Sequence, residues 1–107
     1  MEILGVGIDI ADISRFEDKE DLAIKVLSVL EYGEYQKSSS KAEFLASRFS
    51  VKESYVKASG DKKTPYPQIE VRKEAEKPVL YVKGEKIRSF LSLSHDKECV
   101  SIVVLYQ

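Results

Sequence analysis

The sequence predicts an α+β fold: an N-terminal strand and helices packed on an antiparallel β-meander, in one domain spanning residues 1–107. Three observations carry that expectation. Apolar and small residues alternate from Ile3 to Ile10, helical apolar spacing runs through the segments 22–37 and 41–59, and beyond Gly60 short alternating runs separated by charged turns replace it. No Gly/Ser/Pro-rich linker, composition shift or internal repeat divides the 107 residues, a length that supports one modest core.

In the opening strand Leu4, Val6, Ile8 and Ile10 share one face, expected to be core, while Ile3, Gly5, Gly7 and Asp9 share the other. Glycine weakens a strand and marks a place where a ligand or another backbone comes close. Asp9, beside that gap, has two readings. It caps a helix suggested by Ala11–Phe16, or it is the carboxylate of a metal or phosphate site at the end of a buried strand.

Residues 22–37 place Leu22, Val26, Val29 and Leu30 at helical spacing, with Gly33 the expected break. Over Lys41–Ser59, advancing about 100° per residue from Leu45 gathers Phe49, Lys52 and Val56 into one stripe. Phe44, Val51 and Tyr55 form a second apolar face, so this helix is expected to be largely buried. Glu53 lies at the edge of the first stripe, Lys57 follows it by four residues, and Arg48 sits across it. Such a pair is ordinary on a solvated helix, and a lysine can bury its methylenes and extend its amine to water. Lys52 at the centre of an apolar stripe fits those explanations poorly, and the net positive patch suits an anionic ligand.

Two hairpins follow. Gln68–Arg72 alternates with Ile69 and Val71 inward, and Pro78 opens Val79–Lys83 before Gly84. Phe90–Ser94 and Val100–Leu105 form the second, turning at His95-Asp96-Lys97-Glu98. His95, the single histidine, reads as either a turn residue or a group that titrates near neutrality. Ser94 beside it bonds a phosphate or the turn backbone. Cys99 reads as core.

A net charge of −1 argues against a chain that coats nucleic acid or an anionic membrane. One cysteine excludes an intrachain disulfide, and no apolar run approaches the roughly 18 residues of a membrane span. No signal-peptide pattern opens the chain, so the cytoplasm is the expected compartment. Walker and dinucleotide-binding glycine patterns and zinc-ligand spacings are missing as well.

Read together, GIDIADISRF at 7–16, FLASRFSVKESYVKASG at 44–60 and LSLSHDKECVSIVVL at 91–105 resemble, in that order, the three blocks of the bacterial holo-acyl-carrier-protein synthase family. The intervening IEVRKEAEKPVLYVKGE at 69–85 is similar to the family's paired strands, and RFSVKESYVK is the most specific element. The resemblance implies Mg²⁺-dependent transfer of 4′-phosphopantetheine from coenzyme A to a serine of an apo acyl carrier protein, in support of fatty acid biosynthesis. It further implies that Asp9 and Glu53 hold the metal on the pyrophosphate, and that Lys57 stabilises or protonates the leaving phosphate. Glu53 or a water is the base, Arg48, Lys52, Ser94 and His95 lie near the coenzyme's phosphates, and Arg15 contacts the carrier. A homotrimer with active sites shared between subunits is the implied assembly.

Two stretches differ from the family's pattern. A short Asp61–Pro67 segment stands where the family has a Gly/Thr-rich stretch, and Glu17, Asp18, Glu20 and Asp21 surround Arg15 where the family docks its carrier through basic residues. Two other classes fit parts of the pattern: a non-catalytic interaction domain of the same fold, and a different Mg²⁺-dependent enzyme acting on a phosphoanhydride.

Overall fold

A computed structural model describes all 107 residues. Strand β1 (Ile3–Asp12) is followed by a 3-10 turn at Ile13–Phe16, then α1 (Glu20–Val26), α2 (Val29–Lys37) and α3 (Lys41–Ser59). A second 3-10 turn at Tyr66–Gln68 leads to β2 (Ile69–Glu74), β3 (Lys77–Val82), β4 (Glu85–Lys86), β5 (Ser89–His95) and β6 (Glu98–Tyr106). The α+β expectation holds, with the strands divided into two antiparallel sheets ordered β1-β6-β5 and β2-β3-β4.

The first sheet joins the two ends of the chain: Gly7 pairs with Val103, Asp9 with Ser101 and Ala11 with Cys99. These residues face α3, and the reason is steric. A Cβ on Gly5 would lie 1.9 Å from Ala58 O, and one on Gly7 would lie 1.9 Å from Ser54 O, so only glycine lets the helix backbone approach this closely. Small side chains continue the seam. Ser101 Oγ lies 2.7 Å from both Ser50 Oγ and Ser54 Oγ, and Ser50 Oγ donates to Asp9 O at 3.3 Å, which leaves these buried hydroxyls paired.

The expected core face of β1 is therefore the outer face. Leu4, Val6, Ile8 and Ile10 are 58, 55, 60 and 58% exposed, and Ile102 and Phe90 extend the apolar surface across β6 and β5. The alternation was read correctly and its inward direction reversed, because the tight helix contact takes the glycine side. Burial in the core falls instead on Phe16, Val26, Tyr35 and Leu45 around the first half of α3, and on Val51, Ile69, Val71, Leu80 and Val103 between α3 and the strands.

The helical segment 22–37 breaks at Ser28 rather than at Gly33. Ser28 Oγ accepts from Glu31 N at 3.1 Å while Glu31 Oε1 accepts from Ser28 N at 3.0 Å, a reciprocal capping box that starts α2. Gly33 continues the helix, and Val29, expected on the apolar face, is 94% exposed. Gly60 ends α3 with φ 75°, its N–H returning to Val56 O at 2.8 Å. Two-residue turns close both hairpins of the second sheet, with positive φ at Ala75, Glu76, Lys83 and Gly84. Ile69 and Val71 point inward as expected, and Cys99 is core.

Candidate active site

Asp9 extends from the middle of β1, at a position where the strand's small residues admit α3. Because β1 runs on to Asp12, the cap of the following turn is Asp12, whose Oδ1 accepts from Ser14 N at 3.0 Å. Asp9 is left free for the helix. Lys57, one turn beyond Glu53 on α3, donates from Nζ to Asp9 Oδ1 at 3.1 Å and to Ile8 O at 3.0 Å. Glu53 shares this patch. Partial burial raises its pKa above the usual carboxylate range, the negative charge of Asp9 adds to that rise, and Lys57 opposes it. Asp9 of β1 is thus brought to Glu53 and Lys57 of α3, which lie 44 and 48 residues further along the chain.

The donor set fits a hard divalent cation. The Asp9 and Glu53 carboxylates lie close enough to interact electrostatically, and each keeps an oxygen that accepts no hydrogen bond from the protein, since Lys57 takes one oxygen of Asp9 and the Tyr66 hydroxyl takes one of Glu53. No group of three or more His, Cys, Asp or Glu side chains is arranged to hold a metal ion by itself. Two carboxylates completed by waters and substrate phosphates is the usual protein contribution to Mg²⁺.

The other predicted residues lie elsewhere. Arg48, nine residues before Lys57 on α3, is roughly 13 Å away along the helix axis. It borders a cavity of about 550 Å³ lined by Phe44, Ser47, Lys73, Leu93, Ser94 and His95, among others. Its guanidinium lies 4.3 Å from the Phe44 ring centroid and donates to Ser47 Oγ at 3.0 Å. Nε has no partner, no carboxylate pairs with the side chain, and burial lowers its pKa. Glu31 and Glu34 offset part of that effect, and Glu34, Glu43 and Glu76 line the groove beside Lys73, so Arg48 offers an anion unused donor capacity in a groove of mixed charge. His95 is exposed, with Nδ1 3.2 Å from Glu43 Oε1, and Arg15 is exposed at the end of its 3-10 turn.

Lys52 departs from the expectation. It is fully buried, and Nζ donates to Glu31 Oε1 at 2.7 Å, Tyr66 O at 2.8 Å and Ile69 O at 2.5 Å. Those three bonds consume its three N–H donors, so none remains for a coenzyme phosphate. Glu31, also fully buried, accepts from Val71 N at 2.9 Å through its other oxygen. The pair satisfies the unpaired, buried edge of β2 as a neighbouring strand would.

Two residues of this region escaped the sequence reading. Glu31 had a local signal, the Ser-x-x-Glu spacing of the capping box, but nothing tied it to Lys52. Tyr66 had none: its hydroxyl reaches Glu53 Oε2 from a turn 13 residues away. That turn begins within the short 61–67 segment, which Asp61 organises by accepting from Lys63 N at 3.0 Å, Thr64 N at 3.1 Å and Thr64 Oγ1 at 2.5 Å.

Comparison with known proteins identifies the family and the fold. Residues 5–103 match the model of the 4′-phosphopantetheinyl transferase superfamily. A holo-[acyl-carrier-protein] synthase of Bacillus mycoides is 40% identical over 114 residues, covering 96% of this chain and 95% of the relative. The crystal structure of a Bacillus anthracis holo-(acyl-carrier-protein) synthase in complex with CoA (3′,5′-ADP) superposes with a TM-score of 0.85 at 36% identity, covering 98% of this chain and 97% of that one. The Helicobacter pylori synthase in complex with coenzyme A gives a TM-score of 0.79 at 27% identity, covering 94% and 99%. With residues 5–103 matched by the family model, a relative 40% identical over 96% of the chain and the fold shared with a solved synthase, the chain belongs to the 4′-phosphopantetheinyl transferase superfamily.

Proposed function

We propose that this chain is a holo-acyl-carrier-protein synthase that moves the 4′-phosphopantetheine of coenzyme A onto a serine of an apo acyl carrier protein, with Mg²⁺ as its metal. The observation that carries the reading is the meeting of Asp9, Glu53 and Lys57 at the glycine gap of β1. Asp9 and Glu53 are the residues that would hold the ion, which supplies charge neutralisation on the pyrophosphate oxygens when bound. Lys57 directs an ammonium, half exposed and with one N–H uncommitted, at the phosphate that leaves. A bond forms between the serine oxygen and the β-phosphorus, the bond from that phosphorus to the bridging oxygen breaks, and adenosine 3′,5′-bisphosphate departs. The serine proton passes to the Glu53 carboxylate or to a water.

Arg48 and its groove suit the phosphates of the coenzyme, and their separation from Lys57 supports an active site completed by a second copy of the chain. The outer face of β1, β6 and β5 supplies apolar surface for that contact, and a homotrimer is the assembly we assign. Arg15 is the proposed carrier contact. No helix is long and apolar enough to cross a membrane, and we assign the enzyme to the cytoplasm and to the supply of carriers for fatty acid synthesis.

Intact-mass measurement of an apo acyl carrier protein incubated with this protein, coenzyme A and Mg²⁺ tests the reading. A gain of about 340 Da, one phosphopantetheinyl group from a metal-assisted transfer, is expected with the native chain and lost with chelator, Asp9→Ala and Glu53→Gln. A gain that survives both substitutions refutes the site. Failure of the folded native protein to modify any of several carriers refutes the function.

A further inference from the structure

Glu53 is held from a direction that the two-carboxylate site does not require. Tyr66 reaches it from the 3-10 turn before β2, and three separate restraints fix Tyr66 in place. Its carbonyl accepts from the buried Lys52 amine at 2.8 Å, its ring packs edge-on against Phe49 at 5.9 Å, and the turn around it closes through Gln68 N donating to Pro65 O at 2.9 Å. Phe49 in turn rests on buried Phe16 at 5.4 Å. Lys52 and Glu53 are neighbours on α3, so the buried Glu31–Lys52 pair holds one end of Tyr66 while the hydroxyl at its other end holds the next side chain of the same helix.

We propose that Tyr66 is a positioning residue for Glu53, whose hydroxyl occupies Oε2 so that Oε1 alone is presented toward Asp9 and the divalent cation. The inference rests on the reading of Asp9 and Glu53 as cation ligands. A carboxylate on a three-torsion side chain has two equivalent oxygens and several rotamers, and a fixed donor on one oxygen removes most of that freedom before a cation arrives. The Tyr66 hydroxyl thereby performs, from an unrelated loop, the orienting task of an outer-shell partner.

The test is Mn²⁺ binding followed by electron paramagnetic resonance, with coenzyme A present and no carrier, so that nothing turns over. Tyr66→Phe keeps the ring against Phe49 and removes only the hydroxyl. Its Kd for Mn²⁺ is expected to rise about tenfold or more, the usual effect of losing an outer-shell hydrogen bond, while near-ultraviolet circular dichroism and coenzyme A affinity without metal stay as in the native protein. In turnover the variant's deficit is expected to shrink as Mg²⁺ is raised, whereas a packing defect would leave it constant. A Kd within about twofold of native overturns the proposal, as does a weaker Kd accompanied by altered circular dichroism. No Mn²⁺ binding by the native protein overturns the cation reading itself and this inference with it; native binding with an unaffected variant overturns only the role of Tyr66.

Discussion

Replacing Gly7 with alanine places one methyl group against a backbone that has no room for it. The new Cβ would lie 1.9 Å from Ser54 O, 2.8 Å from Ala58 N and 2.9 Å from Ser54 C, all main-chain atoms of α3. An ordinary carbon–oxygen approach is about 3.3 Å, so the strand and helix must separate by more than about 1 Å at this point. Overpacking costs about 1–3 kcal/mol, and the lower flexibility of the unfolded alanine chain returns roughly 0.4–1 kcal/mol. The upper part of the first range applies, because no flexible side chain can yield. At about 4–8 °C per kcal/mol for a domain of this size, the melting temperature falls by on the order of 5–20 °C. Function suffers separately. Asp9 is two residues along the same strand face, and its 3.1 Å contact with Lys57 is made across the gap that must open. A misplacement of about 1 Å costs on the order of 10²-fold in rate. Thermal unfolding and the carrier mass assay, run on Gly7→Ala below its melting temperature, check both numbers. A variant that melts within about 2 °C of native and transfers at the native rate would refute the steric account of the glycine face and of how Asp9 is placed.

Lys52→Met leaves the Glu31 carboxylate buried without its cation and strips Tyr66 O and Ile69 O of a donor; urea unfolding is expected to show a loss of about 3–5 kcal/mol, and a loss below about 1 kcal/mol would contradict the buried-pair geometry. Asp61 is held at a pKa of about 2 by the Thr64 hydroxyl first and then by the N–H groups of Lys63 and Thr64. Because that value lies below the unfolded one, the contribution of Asp61 to stability is complete above about pH 4 and is lost as pH falls through about 2. A carboxyl-carbon titration should show this midpoint, and Thr64→Ala should raise it; an ordinary aspartate midpoint in the native chain would refute the assignment. Burial, with a smaller push from Glu43, raises the Cys99 thiol to about 11, so a thiol reagent at pH 8 should label it only after unfolding. Ile8→Lys should convert the proposed trimer to single copies in sedimentation without loss of far-ultraviolet helix signal.

The fold was legible where local chemistry decides it. Alternation located β1, β2, β5 and β6, and the Lys41–Ser59 periodicity located α3 to its ends. The direction of β1 was not, because apolarity indicates burial without saying against what, and a Gly5/Gly7 seam signals helix contact only once the helix is present. Ser28-x-x-Glu31 carried a helix start that Gly33 obscured. At the candidate site, the blocks named Asp9, Glu53 and Lys57, which the fold brings together, while Lys52 lies buried against Glu31 instead. A lysine in an apolar stripe points either to a ligand or to an internal carboxylate, and Glu31 lies 21 residues away on another helix. Tyr66 depends on the path of the 61–68 loop, which no periodicity encodes.

The pairing of β1 with β6 also sets a timetable. The first strand is made about 85 residues before its only sheet neighbour, which at roughly 5–20 residues per second leaves it unpaired for several seconds of synthesis. During that interval a Val/Ile-rich segment has no ladder to join, and such distant pairing is slow to form in any case. The two glycines that later admit a helix, and the aspartate that later bonds Lys57, interrupt the very run that would otherwise seed cross-β association between nascent chains. The close approach of α3 and the protection of the newborn chain thus draw on the same positions of β1.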